Sequence, residues 1–140
     1  MGNINLSRVV IGGLFAGLVI NIGEYILNGI VIATQWAALR EQFGLGSLSH
    51  GQMAAAVTIT FAYGIVLIWI YAAIRPRFGP GPRTAIIAGL MLWVIAYVLF
   101  AATLLAGGML STGLTLATIL WGVFEAPIAA VAGAWLYRED

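Results

Sequence analysis

The sequence predicts an all-α integral membrane protein, a four-helix bundle with a short interfacial helix in its first outer loop. Three features carry this prediction: the composition, four long apolar stretches and a one-sided distribution of arginines. Apolar residues make up 62% of the chain and charged residues 8%, against ~45–50% and ~25% in soluble domains. A soluble fold of 140 residues could not bury that much apolar surface, so we expect lipid to be the solvent.

Four apolar stretches are long enough to cross a bilayer as helices, which takes about 20 residues. Backbone groups in lipid must hydrogen-bond within their own segment, and these runs exceed the ~9–11 residues of a barrel strand. The first stretch is too long for a cleaved signal peptide and holds Glu24 in its middle, so we expect it to remain in the mature protein. A single transmembrane domain over residues 1–140 is predicted, with spans at about residues 9–33, 53–74, 84–106 and 114–137.

The arginines predict the orientation of these spans. Lysine is absent, and if the four helices alternate, five of the six arginines fall on one side and only Arg40 on the other. The positive-inside rule then places both termini in the cytoplasm. The five are Arg8, Arg75, Arg77, Arg83 and Arg138.

Three of these arginines, Arg75, Arg77 and Arg83, belong to the connection RPRFGPGPRT between the second and third spans. Its two Gly-Pro pairs predict a tight turn that breaks the helix. The arginines themselves are interpreted as topology anchors or as a patch that binds anionic lipid headgroups.

The first outer loop is the longest connection, TQWAALREQFGLGSLSHGQ. Trp36, Leu39 and Phe43 recur at helical spacing with polar residues between them, which predicts a short amphipathic helix in the outer interface. Ser49 and Gln52 are spaced as a capping box at the start of the second span.

Aromatic residues fall into two sets by depth. Near the span ends we expect interfacial belts formed by Trp36, Tyr71, Trp135 and Tyr137. Trp93, Tyr97 and Trp121 lie deeper, where packing inside the bundle is favoured over contact with a ligand.

The first span interrupts its apolar run with the segment INIGEYILN. At 100° per residue, six polar or glycine residues in and just after this helix fall within an arc of about 80°. This stripe must face the bundle, because polar groups turned to lipid would lack partners. Its first two glycines have Gly-xxx-Gly spacing, which lets another backbone approach closely. The stripe consists of Gly13, Gly17, Asn21, Glu24, Asn28 and Gln35.

The fourth span offers a second carboxyl group, Glu125, on a face of small residues that also carries Thr118. Pro127 is predicted to kink this helix and to free the carbonyl of Val123 as an acceptor near the carboxyl group. Counted from the span centres at 1.5 Å per residue, Glu24 and Glu125 differ in depth by roughly 4 Å. If the first and fourth helices touch, we expect these carboxyl groups to meet.

An ionised carboxyl group at mid-membrane costs about 2.5–3.5 kcal/mol on insertion scales. No lysine, arginine or histidine lies within a predicted span to neutralise Glu24 or Glu125. Each must therefore be protonated, share a proton with the other or bind an external cation, and an adjacent pair should titrate as a coupled unit. We expect at least one to be neutral at pH 7 without ligand.

Two resemblances attach to these residues. The segment IGGLFAGLVINIGEYILNG at 11–29 and YAAIRPRFGPGP at 71–82 resemble a set of uncharacterised small four-span bacterial membrane proteins, which implies a bacterial inner membrane and no known activity. Glu24 also resembles the glutamate in the first helix of small multidrug resistance transporters, which exchanges protons for a lipophilic cation in a dimer. The chain lacks that family's third-helix motif of glycine and tryptophan, adds Glu125 and Pro127 and has a longer outer loop, so the likeness is one of site chemistry.

The leading functional hypothesis is proton- or cation-linked binding or transport of a small cationic or lipophilic ligand by Glu24 and Glu125, positioned by Asn21 and Asn28. Three alternatives stay open: a structural lock between helices, an accessory or scaffold subunit of a membrane complex, and a lipid- or quinone-binding module. The last would be lined by Trp93, Tyr97, Trp121 and Thr118.

Other classes of function find little support in the sequence. His50 is the single histidine and cysteine is absent, so no metal site or thiol chemistry is expected. We predict no enzyme activity, no cofactor and no nucleic-acid partner. Self-association or a larger membrane complex is expected, because four helices enclose little space.

Overall fold

The structure is a computed structural model that describes residues 3–139, so the two chain ends themselves lie outside the described residues. Within this range the chain is helical and contains no strand, which confirms the all-α fold class. The α-helices are α1 (Leu6–Ile26), α2 (Ala33–Gln42), α3 (His50–Phe78), α4 (Pro82–Trp93), α5 (Phe100–Ala106) and α6 (Thr112–Leu136). Two π-helical segments, Leu27–Val31 and Val94–Leu99, continue α1 and join α4 to α5.

Four helical stretches in the described residues are long and apolar enough to cross a membrane. Their ends lie within four residues of the predicted ends, and the largest difference is at the end of the second stretch. We call them the first to fourth spans: Leu6–Val31, His50–Phe78, Pro82–Ala106 and Thr112–Leu136.

The spans form a ring in which each packs against the next and the first also packs against the fourth. Gly13 and Gly17 lie against Gly64 of the second span, where an added Cβ would overlap with the carbonyl oxygen of Gly13 and the amide nitrogen of Gly17. The Gly-xxx-Gly spacing therefore admits another backbone, as predicted. That backbone belongs to the second span. The part of the stripe that contains Glu24 faces the fourth span instead.

One end of the bundle, here called the arginine-rich end, contains the turn between the second and third spans. The α3 helix continues through Pro76 to Phe78 and stops at the first Gly-Pro pair, Gly79-Pro80, so the predicted break of the helix at these pairs is confirmed. Pro82 of the second pair is the first residue of α4. The helix ends at Gly79 and the next begins after Gly81, and both glycines have positive φ angles, 83° and 123°. A residue with a Cβ would be strained at such angles, whereas glycine adopts them readily. The two glycines therefore allow the chain to reverse its direction in a very short turn.

The arginine-rich end also contains a buried aromatic pair. Tyr71 and Tyr137 are only 3% and 4% exposed and meet edge-on with ring centroids 5.9 Å apart. The prediction that these tyrosines belong to an interfacial belt is therefore wrong, because their rings complete the core. Arg75 lies over the Tyr137 ring and pairs with Glu139 at 3.3 Å, which holds the end of the chain against the bundle.

The opposite end is covered by α2, and we call it the α2 end. The predicted short helix is present here, and Ser49 and Gln52 form both hydrogen bonds of the predicted capping box at the start of α3. Ile32 separates α2 from the first span, and Gln35 on α2 is exposed. Gln35 therefore does not continue the polar stripe, which ends at Asn28.

The second span packs unevenly along its length. Near the arginine-rich end it contacts the first, third and fourth spans, whereas residues 51–59, close to the α2 end, are all exposed. Its contacts with the third span are made to α4, the part of that span nearest the arginine-rich end. A cleft thus separates the second and third spans toward the α2 end.

Candidate functional site

The first and fourth spans bring two acidic side chains together inside the bundle. The carboxyl groups of Glu24 and Glu125 lie next to each other, as the comparison of their depths predicts. Two ionised carboxyl groups this close would repel each other, which favours a proton on at least one of the two. The pair is therefore chemically suited to hold a proton in an apolar bundle.

Gly23 makes this contact possible. A Cβ at this position would overlap with Oε1 of Glu125, so the carboxyl group lies directly against the backbone of the first span. Gly23 is not among the residues that the sequence predicts for the site. A small residue next to Glu24, at nearly the depth of Glu125, was the signal that could have found it.

Glu125 accepts hydrogen bonds from two aromatic side chains. The Tyr97 hydroxyl donates to Oε2 at 2.6 Å, and the Trp121 indole nitrogen donates to Oε1 at 3.0 Å from one turn earlier in the same helix. Both residues were predicted to pack in the bundle rather than to contact a ligand site. Their polar atoms instead belong to the site.

Glu24 is held by a chain of donors that begins outside the spans. The Trp36 indole of α2 donates to Oδ1 of Asn28 at 2.7 Å, which fixes the orientation of that amide. The Asn28 nitrogen then donates to Oε2 of Glu24. Trp36 was predicted as a belt residue, so its bond to the site is a contact that sequence reasoning missed.

Each of the two π-helical segments contains a residue that donates a hydrogen bond to one of the carboxyl groups. The first carries Asn28 and the second carries Tyr97, one partner for each carboxyl group. A π turn is wider than an α turn and shifts the side chains that follow, and such turns occur frequently at functional sites. Neither segment is marked by a proline, so the residue pattern gave no sign of them.

The two carboxyl groups differ in the hydrogen-bond donors that surround them. Glu125 accepts from a phenol and an indole, whereas Glu24 accepts from one amide. More donors stabilise the ionised form, because hydrogen bonds to a charged acceptor are the stronger ones. The two donors therefore offset part of the cost of a negative charge on Glu125.

Each carboxyl group borders a different cavity. Glu24 faces a cavity of about 230 Å³ in the cleft at the α2 end, which Asn28, Trp36, Tyr97 and Thr118 also line. Glu125 faces a groove of about 600 Å³ between the first and fourth spans. The carboxyl pair thus stands between two spaces that are large enough for small molecules.

Two residues predicted for the site lie outside it. The Asn21 side chain donates to the backbone oxygens of Gly17 at 2.9 Å and Val57 at 3.4 Å, so it joins the first and second spans rather than positioning Glu24. Trp93 donates to the carbonyl of Ile119 at 2.8 Å. Tyr97 and Trp121 both donate to Glu125, so Trp93 does not share their partner and a site lined by all three side chains is not supported.

Pro127 serves packing in the fourth span. The α6 helix runs without interruption through this residue, and its backbone lies so close to Gly89 of the third span that an added Cβ there would be 2.6 Å from Pro127 Cα. The role of the Val123 carbonyl as an acceptor stays a prediction.

No basic side chain in the described residues neutralises the carboxyl pair. The single ion pair among the described residues joins Arg75 to Glu139 at the arginine-rich end. Arg77 and Arg83 are exposed at the same end. Arg40 at the α2 end donates to the carbonyl of Gly46. Across residues 3–139 there is also no group of three acidic or histidine side chains that could hold a metal ion.

The chain matches no protein family, no curated protein and no solved structure. The two resemblances drawn from the sequence therefore stay predictions, and the function is argued from the site alone.

Proposed function

We propose that this chain is a multi-pass membrane protein that binds or transports a small cationic or lipophilic molecule in a step linked to the proton of Glu24 and Glu125. The observation that carries this proposal is the direct contact of two carboxyl groups deep in the spans, with no basic partner in the described residues. A carboxylate there is costly unless a proton or another cation compensates it. Proton and ligand therefore compete for the same negative charge.

The cavities favour this function over a structural lock. Two polar side chains that only join helices need no empty space around them, whereas each of these carboxyl groups borders a cavity. One cavity lies toward the α2 end and the other faces the surrounding lipid, so the pair has a possible exchange route on each side.

The test is proton flux in reconstituted vesicles. A pH-sensitive dye inside the vesicles reports proton movement driven by a membrane potential, with wild-type protein and with the double variant Glu24→Gln, Glu125→Gln. We expect the double variant to lose the flux, and Glu41→Gln, an exposed carboxyl group on α2, to keep it. Equal flux from wild type and the double variant would refute the proposal.

For location, we propose a bacterial inner membrane with the arginine-rich end in the cytoplasm. The support is the positive-inside rule applied to the five arginines at that end. A cysteine in place of Ser47, in the loop at the α2 end, should react with a membrane-impermeant maleimide added to intact spheroplasts. A cysteine in place of Pro80 should react only after lysis, and the reverse pattern would overturn the orientation.

A second candidate function is a scaffold subunit of a larger membrane complex, and the exposed residues 51–59 of the second span favour it. The glycines of the first span are not the contact surface for such a partner, because Gly13 and Gly17 are already covered by the second span. A stoichiometric partner that co-purifies with wild type and is lost on Val57→Trp would support this function. A protein that purifies alone and passes the flux test would exclude it.

A further inference from the structure

The groove between the first and fourth spans differs from the cavity at the α2 end in its lining. It is apolar except for Glu125 and the indole nitrogen of Trp121. Its walls on the fourth span, Leu120 and Phe124, are exposed on the outside of the bundle, so the groove opens toward the surrounding lipid. A molecule can therefore reach Glu125 from the bilayer without passing through water.

Glu125 has room for one more hydrogen bond on this side. An ionised carboxyl group offers about four acceptor positions. Tyr97 and Trp121 occupy two of them, and the Glu24 carboxyl group lies beside a third. Because residue 23 is a glycine, Oε1 lies against bare backbone, and no side chain separates it from the groove.

The depth of Glu125 restricts what can use that position. It is one residue from the middle of the fourth span, so it lies near the centre of a hydrocarbon layer about 30 Å thick. The headgroup of a membrane lipid stays at the interface, about 15 Å away, and would bring only its acyl chain here. The occupant that fits has a single small polar group that can leave the interface.

We propose that the groove binds a hydrophobic secondary or tertiary alkylamine that enters from the bilayer as the neutral base. The inference rests on the proposed function, since it uses the same carboxyl pair. With both carboxyl groups protonated, the O–H bond of Glu125 breaks and a new N–H bond forms on the amine, while Glu24 keeps its proton. The ammonium then donates that N–H to Glu125, and the site is electrically neutral before and after the transfer.

The choice of an amine follows from charge and from the number of donors. The site has an acid and no basic side chain of its own among the described residues, so a cation complements it. A quaternary ammonium has the charge but no N–H to donate, and an alcohol has a donor but no charge. Hydrogen bonds between charged groups contribute about 1.5–3 kcal/mol, so we expect the amine to bind at least about tenfold more tightly than either.

The test uses three probes with the same chain: N,N-dimethyldodecylamine, N,N,N-trimethyldodecylammonium and dodecan-1-ol. Their binding to the full-length protein in lipid nanodiscs is measured by calorimetry, with empty nanodiscs subtracted to remove simple partition into lipid. We expect saturable binding of the dimethylamine and at least about tenfold weaker binding of the other two. Equal affinities for the three probes would overturn the proposal and leave the groove as a site for acyl chains only.

A matched pair of variants locates the binding. Leu120 in the groove and Leu99 on the third span are both leucines on the lipid-facing surface, 63% and 56% exposed. Leu120→Trp fills the groove and should abolish saturable binding of the dimethylamine, whereas Leu99→Trp should leave it unchanged. Loss of binding in both variants, or in neither, would contradict a site in the groove.

The same proteins separate this inference from the proposed function. If proton flux depends on Glu24 and Glu125 but the three probes bind alike, the amine site is wrong and the proton-linked function stands. If the dimethylamine binds selectively and Leu120→Trp blocks it, while the double carboxyl variant conducts protons like wild type, the amine site stands and the proton-linked function is wrong.

Discussion

The arginine-rich half of the bundle and the half next to α2 use their glycines differently. In the arginine-rich half, glycines let helix backbones touch: Gly12 lies on the carbonyl of Gly133, and Gly64 lies between Gly13 and Gly17. In the other half, glycines make room for polar or aromatic side chains, as Gly23 does for the carboxyl group of Glu125 and Gly122 does for the ring of Tyr97.

The two kinds of glycine contact have different roles: one stabilises the packing of the helices, and the other makes room for the polar side chains of the candidate site. Backbone contacts of the first kind close the helices and leave little space between them, and the Tyr71–Tyr137 pair completes the core at that end. Contacts of the second kind hold side chains whose polar atoms form a network beside two cavities. The closed half thus positions the four spans, and the open half holds the carboxyl pair and its partners.

The difference between the two halves predicts the largest loss of stability for a substitution at Gly64. In the variant Gly64→Ala, the new Cβ would lie 2.6 Å from Gly17 Cα and would also overlap with backbone atoms of Gly13 and Gly17. Helix backbones cannot give way as a flexible side chain can, so the first and second spans must separate. We expect the free energy of unfolding to fall by about 1–3 kcal/mol or more, measured by thermal denaturation in detergent.

Gly113 provides the matched control for this variant. It also lies in a span, but an added Cβ would contact nothing within 4 Å. Gly113→Ala should leave the stability unchanged or raise it by up to about 1 kcal/mol, because alanine is the better helix former. Similar losses from both substitutions would show that close backbone contact does not distinguish the two halves.

In the open half, Trp36→Phe is expected to have a smaller effect. The substitution keeps an aromatic ring on α2 but removes the donor to Asn28, which otherwise fixes the amide that donates to Glu24. The loss of one such hydrogen bond should lower the free energy of unfolding by about 1 kcal/mol. It should also shift the infrared carbonyl band of the protonated carboxyl group, because the environment of Glu24 changes.

Trp135→Phe is the control, since Trp135 is exposed at the arginine-rich end. It should leave the infrared band unchanged. A band that is the same in wild type and Trp36→Phe would mean that α2 is not connected to the carboxyl pair.

Much of this architecture follows from local patterns in the sequence. Span length and composition predict the four helices, and helical periodicity predicts that Glu24 faces inward. The meeting of Glu24 with Glu125 follows from their depth, which a helix fixes at 1.5 Å per residue. These features depend only on the regular geometry of an α-helix.

What the sequence did not predict depends on departures from that geometry or on contacts between distant helices. The π-helical segments that carry Asn28 and Tyr97 shift the direction of their side chains, and no residue type signals these segments. Asn21 lies on the predicted face, yet it meets the second span instead of the carboxyl pair, because neighbouring helices cross at angles that periodicity does not give. Tyr71 and Tyr137 were assigned to a belt from their position alone, although they pack on each other.

The smallest expected effect concerns the ion pair that closes the arginine-rich half. Glu139→Gln removes the partner of Arg75, whose guanidinium still lies 5.6 Å from the centroid of the Tyr137 ring. Both side chains of the pair are partly exposed, and such pairs contribute about 0–1 kcal/mol in water. We expect a loss within that range, measured as the shift in thermal midpoint, that shrinks when salt is added. Glu41→Gln, on exposed α2, should give no shift at either salt concentration. A large, salt-independent loss from Glu139→Gln would mean that the closed half depends on this charge rather than on its backbone contacts, and the division between the two halves would have to be redrawn.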